Sequence, residues 1–403
     1  MSTNPFQRPP TGAAIEAARR IRAHRPLTFA DFMAIALYWP EGGTYAGPAP
    51  IGAGGDFTTA PHTHPAFGAL VGRWLAAAWA ALGRPASFAV REPGAGTGRL
   101  GLDVLTAARS LGAGFAEALN YEGVDVRPGP PGLGWRVADT LAPEALTGAI
   151  VANELLDAQP VHRVTVRDGV LRELYVGLDA EGLFMEQEGE LSSPALARRL
   201  EALGVRLGEG HRAEVNLSLD AWFAQVSAAL DRGYLLLVDY GHEAPAYYAP
   251  ERARGTLRCY AGHTLNMDPY RDVGRQDISV HVEWTSVRRS AQVAGFAHQG
   301  GVSQAAFLRA LGLDALRLET ARRPDLPGVA RAANLRGLEA LIDEAGMGGF
   351  TVHVFAKDAP VLEAGLAGEP RGVPLPHAPV AGPGHTAYSP PEPELPSWDE
   401  LMN

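Results

Sequence analysis

The chain has 403 residues, 46% hydrophobic and 20% charged, enough for roughly two to three units of about 150 residues, which excludes a mini-protein or a bare peptide-binding module. Thirty-five basic against forty-five acidic residues give a net charge of −10, so no nucleic-acid partner is expected of the chain as a whole. Its single cysteine, Cys259, excludes an internal disulfide framework and a Cys-rich zinc site and fits a reducing compartment.

Residues 1–12 carry Pro9 and Pro10 and read as a disordered lead-in. A helical stretch to about Leu37 follows, with Ala14, Ala17, Ala18 and Ile21 on one face. Its arginines (Arg8, Arg19, Arg20, Arg22, Arg25) could be misread as a presequence, but a weakly amphipathic first helix is the simpler reading. From Trp39 to Pro65 the chain is rich in Gly, Pro and Thr, a long ordered loop of the kind that usually carries function. Phe67, Leu70, Val71, Trp74, Leu75, Ala78, Trp79 and Leu82 then keep helical spacing, so residues 13–86 form an N-terminal helical cap with an ordered loop. The longest apolar run, Trp74 to Gly83, falls short of the roughly 18 residues of a membrane span. No span is expected, and a cytoplasmic setting is.

Phe88-Ala89-Val90 runs into a glycine-rich turn and a helix with Leu100, Val104, Leu105, Ala108 and Leu111 on one side, the opening of a nucleotide-binding α/β unit. Strands follow at Asn120–Val126, Trp135–Ala138, Ala149–Ala152 and Tyr234–Asp239, the last two separated by a helix that Ser218 would cap. This alternation predicts a mainly parallel, doubly wound α/β sheet over residues 87–359. Two insertions interrupt it, an antiparallel excursion at about 161–190 and an irregular one at about 243–283. Phe350–Phe355 suits a closing edge strand, and residues 360–403, with ten prolines, read as an extended tail. Trp398, Leu401 and Met402 at its end suggest a docking element, and truncation after Lys357 is expected to leave cofactor affinity intact.

Glu92-Pro93-Gly94-Ala95-Gly96-Thr97-Gly98 carries the clearest chemistry. Glycines at alternate positions let bare backbone approach a ligand, and the helix behind offers unpaired N–H groups. A dinucleotide match through Gly96, Gly98 and Gly101 is weak because its first glycine lies beyond the strand end. Glu92 would repel a pyrophosphate and suits the cationic methionine end of S-adenosylmethionine. Asp125 and Asp139, at the next two strand ends, could receive a ribose and an adenine amino group, with Glu122 a weaker rival on the opposite face. His162, His242, His263 and His281 invite a metal reading, yet no second close-spaced ligand pair completes a site, so none is expected.

Tyr45, Gly55 to Pro61, Phe67-Gly68, Glu92 to Gly98, Ala152-Asn153-Glu154-Leu155-Leu156-Asp157-Ala158-Gln159-Pro160-Val161, Asp239 to His242, Gly255 to Arg258 and Asp277 to Glu283 stand in the order of the MidA family. Over about residues 27–312 the chain resembles these S-adenosylmethionine-dependent methyltransferases, whose mitochondrial members methylate an arginine during complex I assembly. The resemblance implies a class I Rossmann-like methyltransferase fold and a protein substrate presenting an arginine. It implies cofactor contacts at Thr58, Thr59, Glu92, Gly94, Gly96, Gly98, Asp125, Asp139 and Asn153. Glu154, Asp157 and Asp239, at the ends of strands four and five, are the candidate catalytic residues, able to hold a guanidinium plane by paired hydrogen bonds. The chain departs from the family in two places: residues 127–134, with three prolines, replace a helix, and His62 stands where an acid is common. An NAD-dependent oxidoreductase and a cofactor-binding assembly chaperone without turnover stay open.

Overall fold

Thr11 decides where the chain first becomes regular. In the computed structural model, which describes residues 9–47, 58–262, 264–366 and 374–388, its hydroxyl accepts from Ala14 N at 3.0 Å and caps α1 (Gly12–Ala23). The buried face of α1 is Ala13, Glu16 and Ala17, rotated from the Ala14–Ile21 face that spacing suggests. Glu16 can be enclosed because Arg19 and Arg20 both donate to its carboxylate, which also holds it well below the usual carboxylate range, at about 2. The helix does not run to Leu37. It breaks before Pro26, and a second cap, Thr28, starts α2 (Phe29–Tyr38). Part of the long loop that follows is a single helical turn, α3 (Ala60–Thr63), leading into α4 (Ala66–Ala81).

Next come β1 (Phe88–Pro93), α5 (Arg99–Ala108), β2 (Leu119–Asp125), β3 (Gly134–Val137) and β4 (Leu146–Asn153). No helix joins β2 to β3, as the prolines of residues 127–134 require. The excursion is antiparallel: β5 (His162–Arg167), β6 (Val170–Leu178) and β7 (Phe184–Gly189) form a second sheet with β8 (Arg212–Val215). α6 (Leu219–Ala229) leads to β9 (Leu230–Asp239). Ser218 does not cap α6 with its side chain; its hydroxyl turns to Asn216 and Gln159. The stretch expected to be irregular contains a small sheet of β10 (Arg258–Ala261), β11 (Thr264–Asn266) and β12 (Asp277–Ser279). The chain continues through α7 (Trp284–Val293), β13 (Ala297–Ser303), α8 (Leu313–Arg322), α9 (Gly328–Ala340) and β14 (Thr351–Lys357).

Among the described residues seven strands form the main sheet, in the order β13-β14-β9-β4-β1-β2-β3. β14 and β13 pair antiparallel and the others parallel. β14 is therefore internal, and the edge is β13, whose Ala-His-Gln-Gly-Gly-Val-Ser has no alternation to announce it. Both faces of the centre are covered, as a parallel sheet needs. Val90, Val151, Leu236 and Val354 pack toward α4 and α5, while Ile150, Leu235, Leu237 and Phe355 pack toward α6 and α7. The strand order reverses between β1 and β4, so their carboxyl ends border the crevice where such sheets take ligands.

The proline-rich stretch, expected as an extended tail, lies against the body of the protein where it is described. It has no helix or strand among the described residues, but Leu362, Ala378, Ala381, His385 and Ala387 are buried against the body. Trp398, Leu401 and Met402 lie outside the described residues, as do His263 and residues 55–57 of the family run.

Candidate active site

Gly94, Gly96 and Gly98 have φ of +70°, +60° and +73°, the left-handed region in which a side chain is strained. Gly94 N donates to Val124 O at 2.8 Å and Gly96 N to Asp125 Oδ2 at 2.8 Å, so the turn is stapled to the end of β2. Not all of this bareness faces the crevice. A Cβ on Gly94 would lie 2.6 Å from Leu155 Cδ1, and one on Gly98 2.8 Å from Pro130 Cγ. Two of the three glycines are thus also required by protein packing. The N-cap residue of α5, Gly98, offers no side-chain cap, and of the first-turn N–H groups Gly101 N is taken by Glu92.

The acids around the turn divide into different roles. Glu92 is buried and accepts from Tyr121 Oη at 2.7 Å; burial pushes it up to about 8, against that hydrogen bond and one from Gly101 N. It supports the start of α5 from inside. Asp125 is buried, with Arg127 N and Nε on its other oxygen, each at 3.1 Å. Asp139 is exposed beyond β3, and Thr58 is half-buried just before α3. Glu122 does face away, paired with Arg91 and Arg136. Asn153 Nδ2 donates to Glu154 Oε1 at 3.0 Å, while its Oδ1 is buried without a hydrogen-bond partner.

A second group of acids gathers beyond β4 and β9. Glu154 has φ +49°, a strained conformation for a residue with a Cβ, which costs on the order of 1–3 kcal/mol and often marks a functional position. Its Oε1 accepts from Ala60 N at 3.3 Å, tying α3 to the end of β4. Asp157 Oδ2 accepts from Tyr240 Oη at 2.6 Å, and its Oδ1 is buried without a hydrogen-bond partner. Asp239 is 1% exposed and accepts from Leu156 N, Asp157 N and Tyr240 N at 3.0, 3.2 and 2.9 Å. Its oxygens hold the loop that carries Asp157. The three candidates do come together, yet Asp239 stands behind the other two.

Burial raises all three acids. Glu154 reaches about 8, with the Asp157 charge adding to it, and Asp157 reaches about 6 despite the Tyr240 hydrogen bond. Asp239 moves well above the ordinary range, through burial first and Asp157 second. Among the described residues none of the three forms an ion pair. Tyr38 and Tyr45 line the same region with rings stacked at 5.5 Å and 26°. Tyr45 Oη donates to Asp277 Oδ1 at 2.6 Å, and Tyr38 Oη to Ala158 O at 2.9 Å, while Tyr38 remains 36% exposed. Sequence reasoning gave Tyr38, Tyr240 and Asp277 no role. Tyr240 and Asp277 did carry a signal, their places in the Asp239–His242 and Asp277–Glu283 runs. The His281–Glu283 pair is no ligand pair here, because Glu283 spends its oxygens on Thr285 N and Ser286 N at the start of α7.

A doubly wound sheet with a glycine turn after its first strand, an acid after its second and a polar group after its fourth defines a class I Rossmann-like methyltransferase. Residues 70–130 and 132–302 match the model of a family described as "Putative S-adenosyl-L-methionine-dependent methyltransferase", and the chain belongs to that family, the MidA type. It is similar to the protein arginine methyltransferase NDUFAF7, mitochondrial, of Danio rerio, 26% identical over 82% of this chain and 83% of the relative. The Mus musculus protein of the same name is 27% identical over 84% and 82%. A COG1565 superfamily member from Burkholderia thailandensis, solved with S-adenosyl-homocysteine bound, is 31% identical with a TM-score of 0.78, covering 88% of this chain and 94% of that one. The protein is an S-adenosylmethionine-dependent methyltransferase. Its described residues include no helix long and apolar enough to cross a membrane.

Proposed function

We propose that the enzyme methylates an arginine side chain of a protein partner. The observation that carries this reading is the buried, unpartnered Oδ1 of Asp157, set beside Glu154 and the exposed ring of Tyr38. Uncompensated buried carboxylates call for a cation. A guanidinium fits better than an ammonium, because a planar cation can pair with a carboxylate and stack on an aromatic face at once. The names carried by the Danio and Mus relatives point the same way.

Residues toward the cofactor are assigned on the same basis. The turn of Gly94, Gly96 and Gly98 would receive the amino-acid end, Asp125 the ribose and Asp139 the adenine edge, with Thr58, Thr59, Glu92 and Asn153 bordering them. The positive φ values of the turn and the orphan Oδ1 of Asn153 fit such a guest. When bound, S-adenosylmethionine supplies an electrophilic methyl on a sulfonium. The protein's task is alignment. Asp157 and Glu154 hold the guanidinium plane, Tyr240 fixes the Asp157 carboxylate, and Asp239 fixes the loop beneath. The acceptor nitrogen gains the methyl and gives up one proton, which the ionised form of Glu154, its pKa raised by burial to about 8, can take up. Transfer of a radiolabelled methyl to arginine-containing peptides, with the modified residue located by mass spectrometry, tests the reading. Labelling of lysine or of small metabolites alone would overturn it.

We propose a cytoplasmic setting, in keeping with a chain whose single cysteine, Cys259, is buried and unpaired. Fractionation of the source cells checks this.

A further inference from the structure

His62 is buried between the two threonines that flank the crevice. Its Nδ1 lies 2.9 Å from Thr59 Oγ1 and its Nε2 2.7 Å from Thr97 Oγ1. A neutral imidazole has one donor and one acceptor nitrogen, so it can bridge two hydroxyls, each of which gives or takes as required. Burial keeps this ring neutral, lowering it to about 4, with Arg99 adding to the effect. Thr97 sits between Gly96 and Gly98, and Thr59 precedes the α3 N–H that reaches Glu154. His62 therefore links the glycine turn, the N-terminal cap and the first acid beyond β4.

The proline-rich segment reaches this histidine from behind. Thr386 N donates to His62 O at 2.7 Å and Ala387 N to Thr63 O at 3.3 Å. His385 Nε2 lies 2.9 Å from Asp103 Oδ2 on α5, the helix that opens from the turn. Further back, Ala381 N and the His64 ring share Asn334 Oδ1 on α9, at 2.8 and 3.0 Å. α9 makes room for the contact: a Cβ on Gly337 would lie 2.6 Å from Ala387 Cβ and 3.1 Å from His64 Cδ2. Glycine inside a helix is destabilising, and the close approach of Ala387 explains its presence here.

We propose that residues 378–388 are a positioning element of the cofactor site, which holds His62 in place and through it fixes the Thr97 rotamer and the Gly94–Gly98 turn. This rests on the reading of that turn as the cofactor site. It reverses the expectation that everything beyond Lys357 is dispensable for cofactor affinity. The segment makes no direct contact with the acceptor acids or Tyr38, and its one route toward them is the His62–Thr59 link, so its main effect falls on the cofactor side.

Calorimetry of the full-length chain with S-adenosylhomocysteine tests this on wild type, His62→Ala, His385→Ala and the double variant, at a temperature where all remain folded. Each single change is expected to weaken binding by about tenfold, and the double variant no further than the weaker single, because the His385 ring orders the segment whose Thr386 N holds His62 in place. His62→Gln, whose amide can still bridge two hydroxyls, should recover most of the loss. A merely structural segment would lower the Tm and leave folded-state affinity alone. Affinity within about twofold of wild type in both single variants, or losses that multiply, would overturn the proposal. Gly96→Val serves as the control: if it too binds normally, the reading of the turn fails, and the strap falls with it for that separate reason.

Discussion

The two ends of the crevice are built on opposite principles. At the cofactor end the protein's own backbone does the shaping: Gly94, Gly96 and Gly98 in left-handed conformations, pinned by Val124 O and Asp125, with Glu92 and Asp125 satisfied by Tyr121 and Arg127. At the acceptor end side chains dominate, and polar demand is left open, with Asp157 Oδ1 buried and unpartnered. A satisfied turn gives shape, whereas unsatisfied acids give appetite for a cation. A mutation at the first end should therefore act through geometry and at the second through charge.

The largest effect expected is at the turn. Gly96→Val places a branched side chain where φ is +60°, and it should abolish measurable S-adenosylhomocysteine binding while the melt stays cooperative. Unchanged affinity would erase the contrast at its source. Next come the acids facing the acceptor. Asp157→Asn or Glu154→Gln should lower methyl transfer by roughly a hundredfold, about 2.7 kcal/mol of transition-state stabilisation, with cofactor affinity little changed. Equal losses of cofactor binding and stability, with turnover per bound cofactor intact, would return both to scaffolding.

Asp239→Asn separates position from contact. Three backbone N–H groups converge on this carboxylate, and an amide NH2 can satisfy only some of them. The expected result is a loss of about 1–3 kcal/mol in stability together with slower transfer. Slower transfer at full stability would instead put Asp239 against the substrate.

Much of this was legible in the sequence, and the reasons differ by region. The glycine turn, Asp125, and the placement of Glu154, Asp157 and Asp239 at strand ends all follow from local pattern, because apolar strands and glycine spacing are written in consecutive residues. β13 was not legible, since Ala297–Ser303 has no alternation, and its pairing with β14 arises only in the tertiary fold. The same holds for Tyr38, which reaches Ala158 across 120 positions, and for the pairing of Tyr45 with Asp277 across 232, although Tyr45 itself stands in the family's order. Proline density in the last 44 residues argues against helix and strand, and the described part of that stretch has neither, but it cannot show that Ala381, His385 and Ala387 are buried.

Acidity gives a smaller effect that reads only the acceptor end. Glu154 and Asp157 have folded-state values of about 8 and about 6, against ordinary values of 4.5 and 3.8. In that window the folded chain holds protons that the unfolded chain has released, so their contribution to stability falls as pH rises from about 4 to about 8. Binding a cation favours the ionised acids. Acceptor KM should therefore fall severalfold between pH 6 and 8 and level off above, with the S-adenosylhomocysteine affinity far flatter. Glu154→Gln should flatten the acceptor profile and raise the Tm at pH 8 relative to wild type. A KM independent of pH across that window would mean the acids are not what the acceptor meets.

The smallest expected effect isolates the aromatic wall. Tyr38 has two attachments to the site: its hydroxyl holds Ala158 O, next to Asp157, and its ring stacks on Tyr45 while 36% exposed. Tyr38→Phe removes the first and keeps the second. Losing one neutral hydrogen bond at a partly exposed site costs on the order of 1 kcal/mol, so transfer should slow by only a few fold, through a loosened Asp157 loop and therefore mainly in kcat. Tyr38→Leu also removes the ring face. A guanidinium that stacks there would lose a further 0.5–2 kcal/mol or so, and this loss should appear in acceptor KM, with cofactor affinity untouched. The split between the two variants is the measurement. If Tyr38→Leu and Tyr38→Phe behave alike, the ring does not meet the acceptor, and the carboxylates alone select the cation; if Leu adds a KM effect that vanishes when the peptide arginine is replaced by lysine, the stacked tyrosine is what makes the site prefer a planar charge.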